Sequence, residues 1–181
     1  KVAVNLSPAQ FRSPGLVQVV MNALAASGLP PDRLELEITE NILLQDGEAT
    51  LATLHRLREM GVHIAMDDFG TGYSSLSYLR SFPFDKIKID RSFVKDITVQ
   101  TGSLSIVRAV AAMAKGLGME TTAEGVETQE QLDTVKSEGC TEMQGYLLSR
   151  PVPAHEIEKL LRASPTTQPV KLEDAGTEHA A

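Results

Sequence analysis

The sequence predicts an α/β protein of the TIM-like (β/α)₈ barrel type, with about six βα units present. Three observations carry this expectation. Strand-like and helix-like segments alternate throughout, in units of roughly 25–33 residues, the rhythm of a barrel or an open parallel sheet. The strands are one-sided. Leu34, Leu36 and Ile38 oppose Glu35 and Glu37, Ile87 and Ile89 oppose Lys86, Lys88 and Asp90, Val2 and Val4 oppose Asn5, and Ile64 and Met66 oppose Asp67. A doubly wound sheet lies under helices on both faces and should be apolar on both. Finally, polar residues gather where the strands end, the rim on which barrels place their sites. Six units do not close eight strands. Because Lys1-Val2-Ala3-Val4 opens inside a strand, the expectation is a chain that begins after the true start of its domain.

Each element has a local reason. Lys1–Leu6 reads as a strand, and Leu16–Ala26 as a helix with Leu16, Val17, Val20, Met21 and Leu24 on one face. Gly28 and the Pro30-Pro31-Asp32 turn end it. Arg33–Thr39 is a strand. Asp46 can cap a helix carrying Leu51, Leu54, Leu57 and Met60 as far as Gly61. Val62–Met66 is apolar and strand-like, a short helix is expected near Ser75–Ser81, and Lys86–Asp90 is a strand. The longer helix that follows turns Ile106, Val107, Val110, Met113, Ala114 and Leu117 inward. Met119–Glu124 reads as a strand, Gln129–Glu138 as a helix, Glu142–Tyr146 as a short strand, and Ala154–Arg162 as a last helix entered through Pro153. From Ser164 the composition turns to Pro, Thr, Glu and Ala. Residues 1–163 are therefore expected to form one domain and 164–181 a disordered tail.

Composition narrows the functional classes. No apolar run approaches the ~20 residues that span a bilayer, and the N-terminus lacks the charged and apolar regions of a signal peptide. The lone Cys140 excludes an internal disulfide and fits a reducing, cytoplasmic location; segments upstream could still tether a parent protein at the inner membrane. A formal net charge of −7 argues against binding duplex nucleic acid through a basic surface. An acidic protein that handles an anionic substrate needs metal ions or local cations. Four scattered histidines and one cysteine offer no zinc-type spacing.

The run Asp67-Asp68-Phe69-Gly70-Thr71-Gly72-Tyr73-Ser74-Ser75 places two adjacent carboxylates at the end of an apolar strand. Neighbours on a strand point to opposite sides, so they can share a site only where the strand ends and the backbone turns. The plainer alternative is an Asx turn with both side chains in water. The other strand ends supply Asn5, Glu37 with Glu40, Lys88 with Asp90, Glu124 with Glu127, and Gln144. The anionic groups are all oxygens, the donor set of Mg²⁺ or Mn²⁺. Asp67 could bridge two ions, with Asp68 and Glu124 completing one and Asn5 and Glu37 the other. Two such ions clamp an in-line displacement at phosphorus, and Lys88 could hold the attacking water or neutralise a phosphate oxygen. Each residue also has a structural reading. Glu37 and Lys88 could pair across strands, Glu40 and Asp90 could cap helices, Gln144-Gly145 could be a turn, and Asn5 could simply end a strand. Two decoys fall away. Asp68-Phe69-Gly70 lacks the other kinase motifs, and Lys115-Gly116-Leu117-Gly118 is a helix end, not a phosphate loop.

Six segments then occur in the order and approximate spacing of EAL domains, which the chain resembles from Lys1 to about Leu161. They are Val4-Asn5-Leu6-Ser7, Glu35 to Glu40, Asp67 to Leu76, Lys86 to Asp90, Ala123 to Thr128, and Gln144-Gly145-Tyr146. The resemblance implies a bacterial signalling phosphodiesterase that opens cyclic di-GMP to linear pGpG with two Mg²⁺ or Mn²⁺ ions. It implies metal ligands at Asn5, Glu37, Asp67, Asp68 and Glu124, with Lys88 holding the nucleophilic water. Glu124 is assigned first as a ligand, with a general-base role less settled, and Glu127 and Gln144 support the site. Glu40 would anchor the Phe69–Leu76 loop, through which the complete domain is expected to form a homodimer. The Glu-Ala-Leu segment that names the family is absent, with its metal-binding glutamate and a nearby substrate-binding arginine. Expressed alone, the chain is accordingly expected to be poorly soluble and nearly inactive. A noncatalytic cyclic di-GMP receptor remains the alternative. Residue chemistry alone also permits a magnesium-dependent enolase-type barrel in which Lys88 abstracts a proton.

Overall fold

Six parallel strands lie side by side in sequence order in the computed structural model, which describes residues 1–43, 47–71, 79, 82 and 84–163. The strands are β1 (Val2–Asn5), β2 (Leu34–Thr39), β3 (His63–Phe69), β4 (Lys86–Ile89), β5 (Glu120–Glu124) and β6 (Glu142–Gln144). They form a curled half-barrel, with helices among the described residues after β1, β2, β4 and β5. The helices are α1 (Pro8–Phe11), α2 (Leu16–Ser27), α3 (Glu40–Leu43), α4 (Gly47–Glu59), α5 (Arg91–Lys95), α6 (Thr101–Gly116) and α7 (Gln129–Ser137). This unit runs from Lys1 to Ser149; a second begins at Arg150 and contains α8 (Ala154–Ala163). Within α8, Ile157, Leu160 and Leu161 share one face by their spacing. The expected Asp46 cap, Ser75–Ser81 helix and 164–181 tail lie outside the described residues. No helix among the described residues is long and apolar enough to cross a membrane.

The one-sided strands explain the layering. Leu36, Ile38, Ile64, Met66, Ile87 and Ile89 are buried beneath the helices, where they join Leu54 and Leu57 of α4, Val94 of α5 and Val107 and Ala114 of α6 in one core. The opposite face carries Glu35, Glu37, Lys86 and Lys88, all buried as well. A buried face built of charges is costly unless the charges meet, and here they do.

Several boundaries and faces differ from expectation. β3 runs to Phe69, so Asp67 and Asp68 lie within it and not beyond its end. β6 stops at Gln144 because Gly145 turns against Val126, where a Cβ would run into the Val126 backbone. A one-turn helix, α1, follows β1 and is closed by a reciprocal capping box between Ser7 and Gln10. Met21 is exposed, since the stripe of Leu16, Val17, Val20 and Leu24 leaves it at the rim of the buried arc. Ile106 is exposed for the same reason, and Leu117 is exposed as the C-cap beyond the end of α6. Ala111 takes the inward place, because the α6 stripe centres on Val107, Val110 and Ala114.

Cys140, between α7 and β6, is buried. Burial, and secondarily the charge of Glu138, pushes its thiol up to about 11 against the pull of a hydrogen bond with Thr121. We expect the native protein at pH 8 to resist thiol reagents and to react at a free-thiol rate only in denaturant. Stoichiometric labelling of the native chain within minutes would contradict this burial.

Candidate metal centre

The parallel register brings the carboxyl ends of five strands to one level. Asn5 pairs with Glu37 across β1 and β2, and Thr39 with Asp67 across β2 and β3. Between β3 and β4 the register slips. Met66 faces Ile87 and Phe69 faces Ile89, so Asp67 and Asp68 together oppose the single Lys88. This is a β-bulge, an extra residue in one strand of a pair. Asp68 absorbs it with φ 53°, the only positive φ at a non-glycine among the described residues; Asp tolerates that left-handed conformation better than most residues. Strict alternation would have sent the two carboxylates to opposite faces. The bulge lets both serve one site while Phe69 returns to the core.

Lys88 sits among three of these carboxylates. Its Nζ lies 2.9 Å from Glu37 Oε2, 2.8 Å from Asp67 Oδ1 and 2.7 Å from Glu124 Oε1, so one ammonium on β4 ties together β2, β3 and β5. Burial alone would lower its pKa, but hydrogen bonds to Asp67, Glu124 and Glu37 outweigh that and raise it. Lys88 is held charged. One ammonium does not balance the cluster, however. Burial raises the pKa of Glu124, as do the charges of Asp67 and Glu37, against the opposing pull of Lys88. Asp68 is raised by burial and then by Asp67, Asp90 and Glu40. The site carries more negative charge than its own cation neutralises.

This donor set fits a hard divalent cation. Oxygens of Asp67, Asp68 and Glu124 come within 4.8 Å of one another. On the other side of Asp67, one atom of the Asn5 amide lies 3.1 Å from both Asp67 Oδ2 and Glu37 Oε2. With nitrogen in that place the amide donates to both carboxylates. With oxygen there, three acceptors converge, an arrangement stable only around a cation. Asp67 therefore borders both groups of ligands.

The remaining predicted residues lie around this centre in different roles. Glu40, the first residue of α3, accepts through Oε1 from the Gly70 amide at 3.0 Å, so it holds the start of the loop after β3. Residues 72–76 of that loop lie outside the described residues. Asp90 is the N-cap of α5 and accepts from the Ser92 amide at 3.0 Å, the structural reading. Glu127 is exposed and makes no ion pair among the described residues. Gln144 pairs in register with Glu124; its carbonyl accepts from the Val126 amide at 3.1 Å and its side chain is exposed. A second charged layer lies one pleat below the first. Lys86 Nζ lies 2.9 Å from Glu35 Oε2 and 2.6 Å from Glu142 Oε2, and Thr122 donates to Glu142 at 3.0 Å. The i, i+2 spacing of Glu35 with Glu37 and of Lys86 with Lys88 is the signal for it. If one pair meets across the sheet, so does the other.

A family model for the EAL domain matches residues 1–151, and the chain belongs to that family. It is 46% identical over 163 residues to the cyclic di-GMP phosphodiesterase NbdA of Pseudomonas aeruginosa, covering 90% of this chain and 21% of that protein. Among solved structures it is similar to the MucR phosphodiesterase of the same organism in complex with c-di-GMP, with a TM-score of 0.83 and 44% identity over 87% of this chain and 64% of that one. It is also similar to BlrP1 of Klebsiella pneumoniae in a manganese and cyclic di-GMP complex, with a TM-score of 0.78 and 39% identity over 83% of this chain and 39% of that one. The chain spans about a fifth of the length of the curated relatives it matches.

The lower layer has a measurable pH signature. Burial pushes the Glu142 carboxyl up, but the Lys86 hydrogen bond and charge, with Thr122 and Lys1, hold it below its ordinary value. Its stabilisation is therefore present above the unfolded carboxyl pKa and is lost as pH falls through the lower folded value. Glu142→Gln should flatten that part of the acid-denaturation limb, by about 1 kcal/mol or less because the Glu142 side chain is 43% exposed and solvent screens the pair. Denaturant melts from pH 3 to pH 7 measure it; identical limbs for wild type and variant would remove Glu142 from the layer's balance.

Proposed function

We propose that the domain carrying this chain is a metal-dependent phosphodiesterase that hydrolyses cyclic di-GMP to linear pGpG. The observation that carries the reading is the convergence of Asn5, Glu37, Asp67, Asp68 and Glu124 around Lys88, with Asp67 bordering both groups of ligands. The phosphodiesterase names of its relatives and the c-di-GMP in their structures support the substrate. The manganese complex of a relative supports the ion.

Two Mg²⁺ or Mn²⁺ ions would be held by Asp67, Asp68 and Glu124 on one side and by Asn5, Glu37 and Asp67 on the other. When bound they lower the pKa of water and offset charge on the phosphate oxygens. The protein does the rest. Lys88 is fixed in the charged form, its three donors on Glu37, Asp67 and Glu124; with those carboxylates turned to the ions, it would be free to hold the attacking water or neutralise a phosphate oxygen. Glu40 keeps Gly70 in place, and with it the chain that leaves Asp67 and Asp68. Glu127 and Gln144 flank the Glu124 turn as supporting residues. The loop spanning residues 69–76 is assigned to contact with a second copy of the domain, and a cytoplasmic location fits the free, buried thiol of Cys140.

In the intact domain, hydrolysis of cyclic di-GMP, followed by chromatography of pGpG, should require Mg²⁺ or Mn²⁺ and be inhibited by Ca²⁺. Calcium takes the same oxygens with longer bonds and looser geometry, which misplaces the attacking water. Full hydrolysis in excess chelator would overturn the metal mechanism, and tight binding without hydrolysis in Mg²⁺ would make the domain a receptor.

Asp67→Asn should lower kcat by more than about 100-fold with little change in Tm, since it alters both groups of ligands at once from a rim position. Glu40→Ala should act less directly, by freeing the Gly70 amide and weakening metal binding. A near-normal kcat for Asp67→Asn would remove Asp67 from its bridging place.

A further inference from the structure

We propose that Gln131, on α7 and away from the carboxylate cluster, is a positioning residue for Glu124 and so for the Asp67–Asp68–Glu124 group of ligands. The inference rests on the metal reading above and adds a residue that contacts neither ligand nor substrate.

Gln131 is buried and does more than cap its helix. Thr128 is the N-cap of α7. Its hydroxyl accepts from the Gln131 amide at 3.2 Å, and Gln131 Oε1 accepts from the Thr128 amide at 3.1 Å, which completes an ordinary capping box. The same Oε1 also accepts from the Glu127 amide, at the shorter distance of 2.8 Å. The other end of the side chain reaches across to α5, where Nε2 donates to the Lys95 carbonyl at 3.1 Å. A capping box alone needs neither of these contacts.

They matter because of what lies at each end. Lys88 leaves β4 and passes through the Asp90 cap directly into α5, which ends at Lys95. Glu124 leaves β5 through Gly125, Val126 and Glu127 into α7. Gln131 therefore bridges the βα unit that carries Lys88 and the one that carries Glu124. The connecting turn is already held on its other sides. Gly125, at φ +72°, lies against Arg91, where a Cβ would come within 2.6 Å of the Arg91 Cβ. Val126 is bonded through its amide to Gln144 and through its carbonyl to the Leu147 amide. Gln131 closes this frame, and inside it Glu124 reaches Lys88 at 2.7 Å.

The amide is the informative part of the side chain. A glutamate at position 131 could still accept from Glu127 and Thr128 and keep the capping box, but it has no proton for the Lys95 carbonyl and would turn an oxygen toward it. Gln131→Glu therefore separates the bridge from the cap.

The test compares wild type, Gln131→Glu, Gln131→Leu and Val135→Ala in the intact protein, with Asp67→Asn as the control for metal binding. Val135→Ala is a buried truncation on the same helix that touches none of these bonds. Two quantities are read: Mn²⁺ affinity by electron paramagnetic resonance, and the Lys88 ammonium signal by NMR without metal. Gln131→Glu and Gln131→Leu should each weaken Mn²⁺ binding about 10-fold, the scale of an outer-shell partner, and shift the Lys88 signal. Val135→Ala should lower Tm at least as far yet leave both readings at wild-type values. If Gln131→Glu matches wild type in both, or if Val135→Ala moves them equally, Gln131 is only structural. If wild type and Asp67→Asn bind Mn²⁺ equally poorly while Gln131→Glu still shifts the Lys88 signal, the metal reading falls and the positioning role stands.

Discussion

The ammonium of Lys88 is the interaction on which the arrangement depends. Three strands end in carboxylates that would repel one another in a poorly solvated interior, and removing each ion from water costs several kcal/mol. Lys88 lies within 2.9 Å of one oxygen from each of Glu37, Asp67 and Glu124. That contact fixes the relative heights of β2, β3, β4 and β5 at the rim. A single positive charge among Glu37, Asp67, Asp68 and Glu124 leaves the cluster negative, and burial together with that charge raises the carboxyls of Asp68 and Glu124. The same feature that makes the site tolerable makes it attractive to further cations.

The lower layer repeats the device with a different outcome. Lys86 is matched by Glu35 and Glu142, and its hydrogen bonds to them overcome the effect of burial and raise its pKa. There one ammonium meets two carboxylates, and Thr122 donates to the more exposed of them, Glu142. Two buried lysine layers on one sheet thus divide the work. The lower joins the far edge strand β6 to β2 through β4, and the upper, two residues further along the strands, holds an excess of acceptors. The Asp67–Asp68 bulge produces that excess by giving β3 two carboxylates where alternation allows one.

The βα turns above the rim behave as a frame and not as free loops. Gly125 lies against Arg91, Gly145 against Val126, Glu40 holds Gly70, and Gln131 spans two units. Such turns give a carboxylate a fixed direction, which a ligand set needs more than it needs burial. Glycine at 125 and 145 is required by the approach of neighbouring chain, and at 125 also by its positive φ.

Much of this was legible in the chain. Periodicity located every described strand to within a few residues, because a strand buried on one side and charged on the other leaves an alternation that no helix mimics. The strand-end residues Asn5, Glu37, Asp67, Asp68, Lys88 and Glu124 were also legible, since residues at the carboxyl ends of parallel strands share a rim whatever the helices do. Helix faces were read less well. Met21, Ile106 and Leu117 are apolar, but only packing determines which arc of a helix is covered. The bulge at Asp68, the pairing of Lys86 with Glu142, and the reach of Gln131 to Lys95 belong to the tertiary structure alone. Each depends on where a neighbouring strand or helix comes to rest, and residues 20 to 56 positions apart in sequence carry no local mark of that meeting.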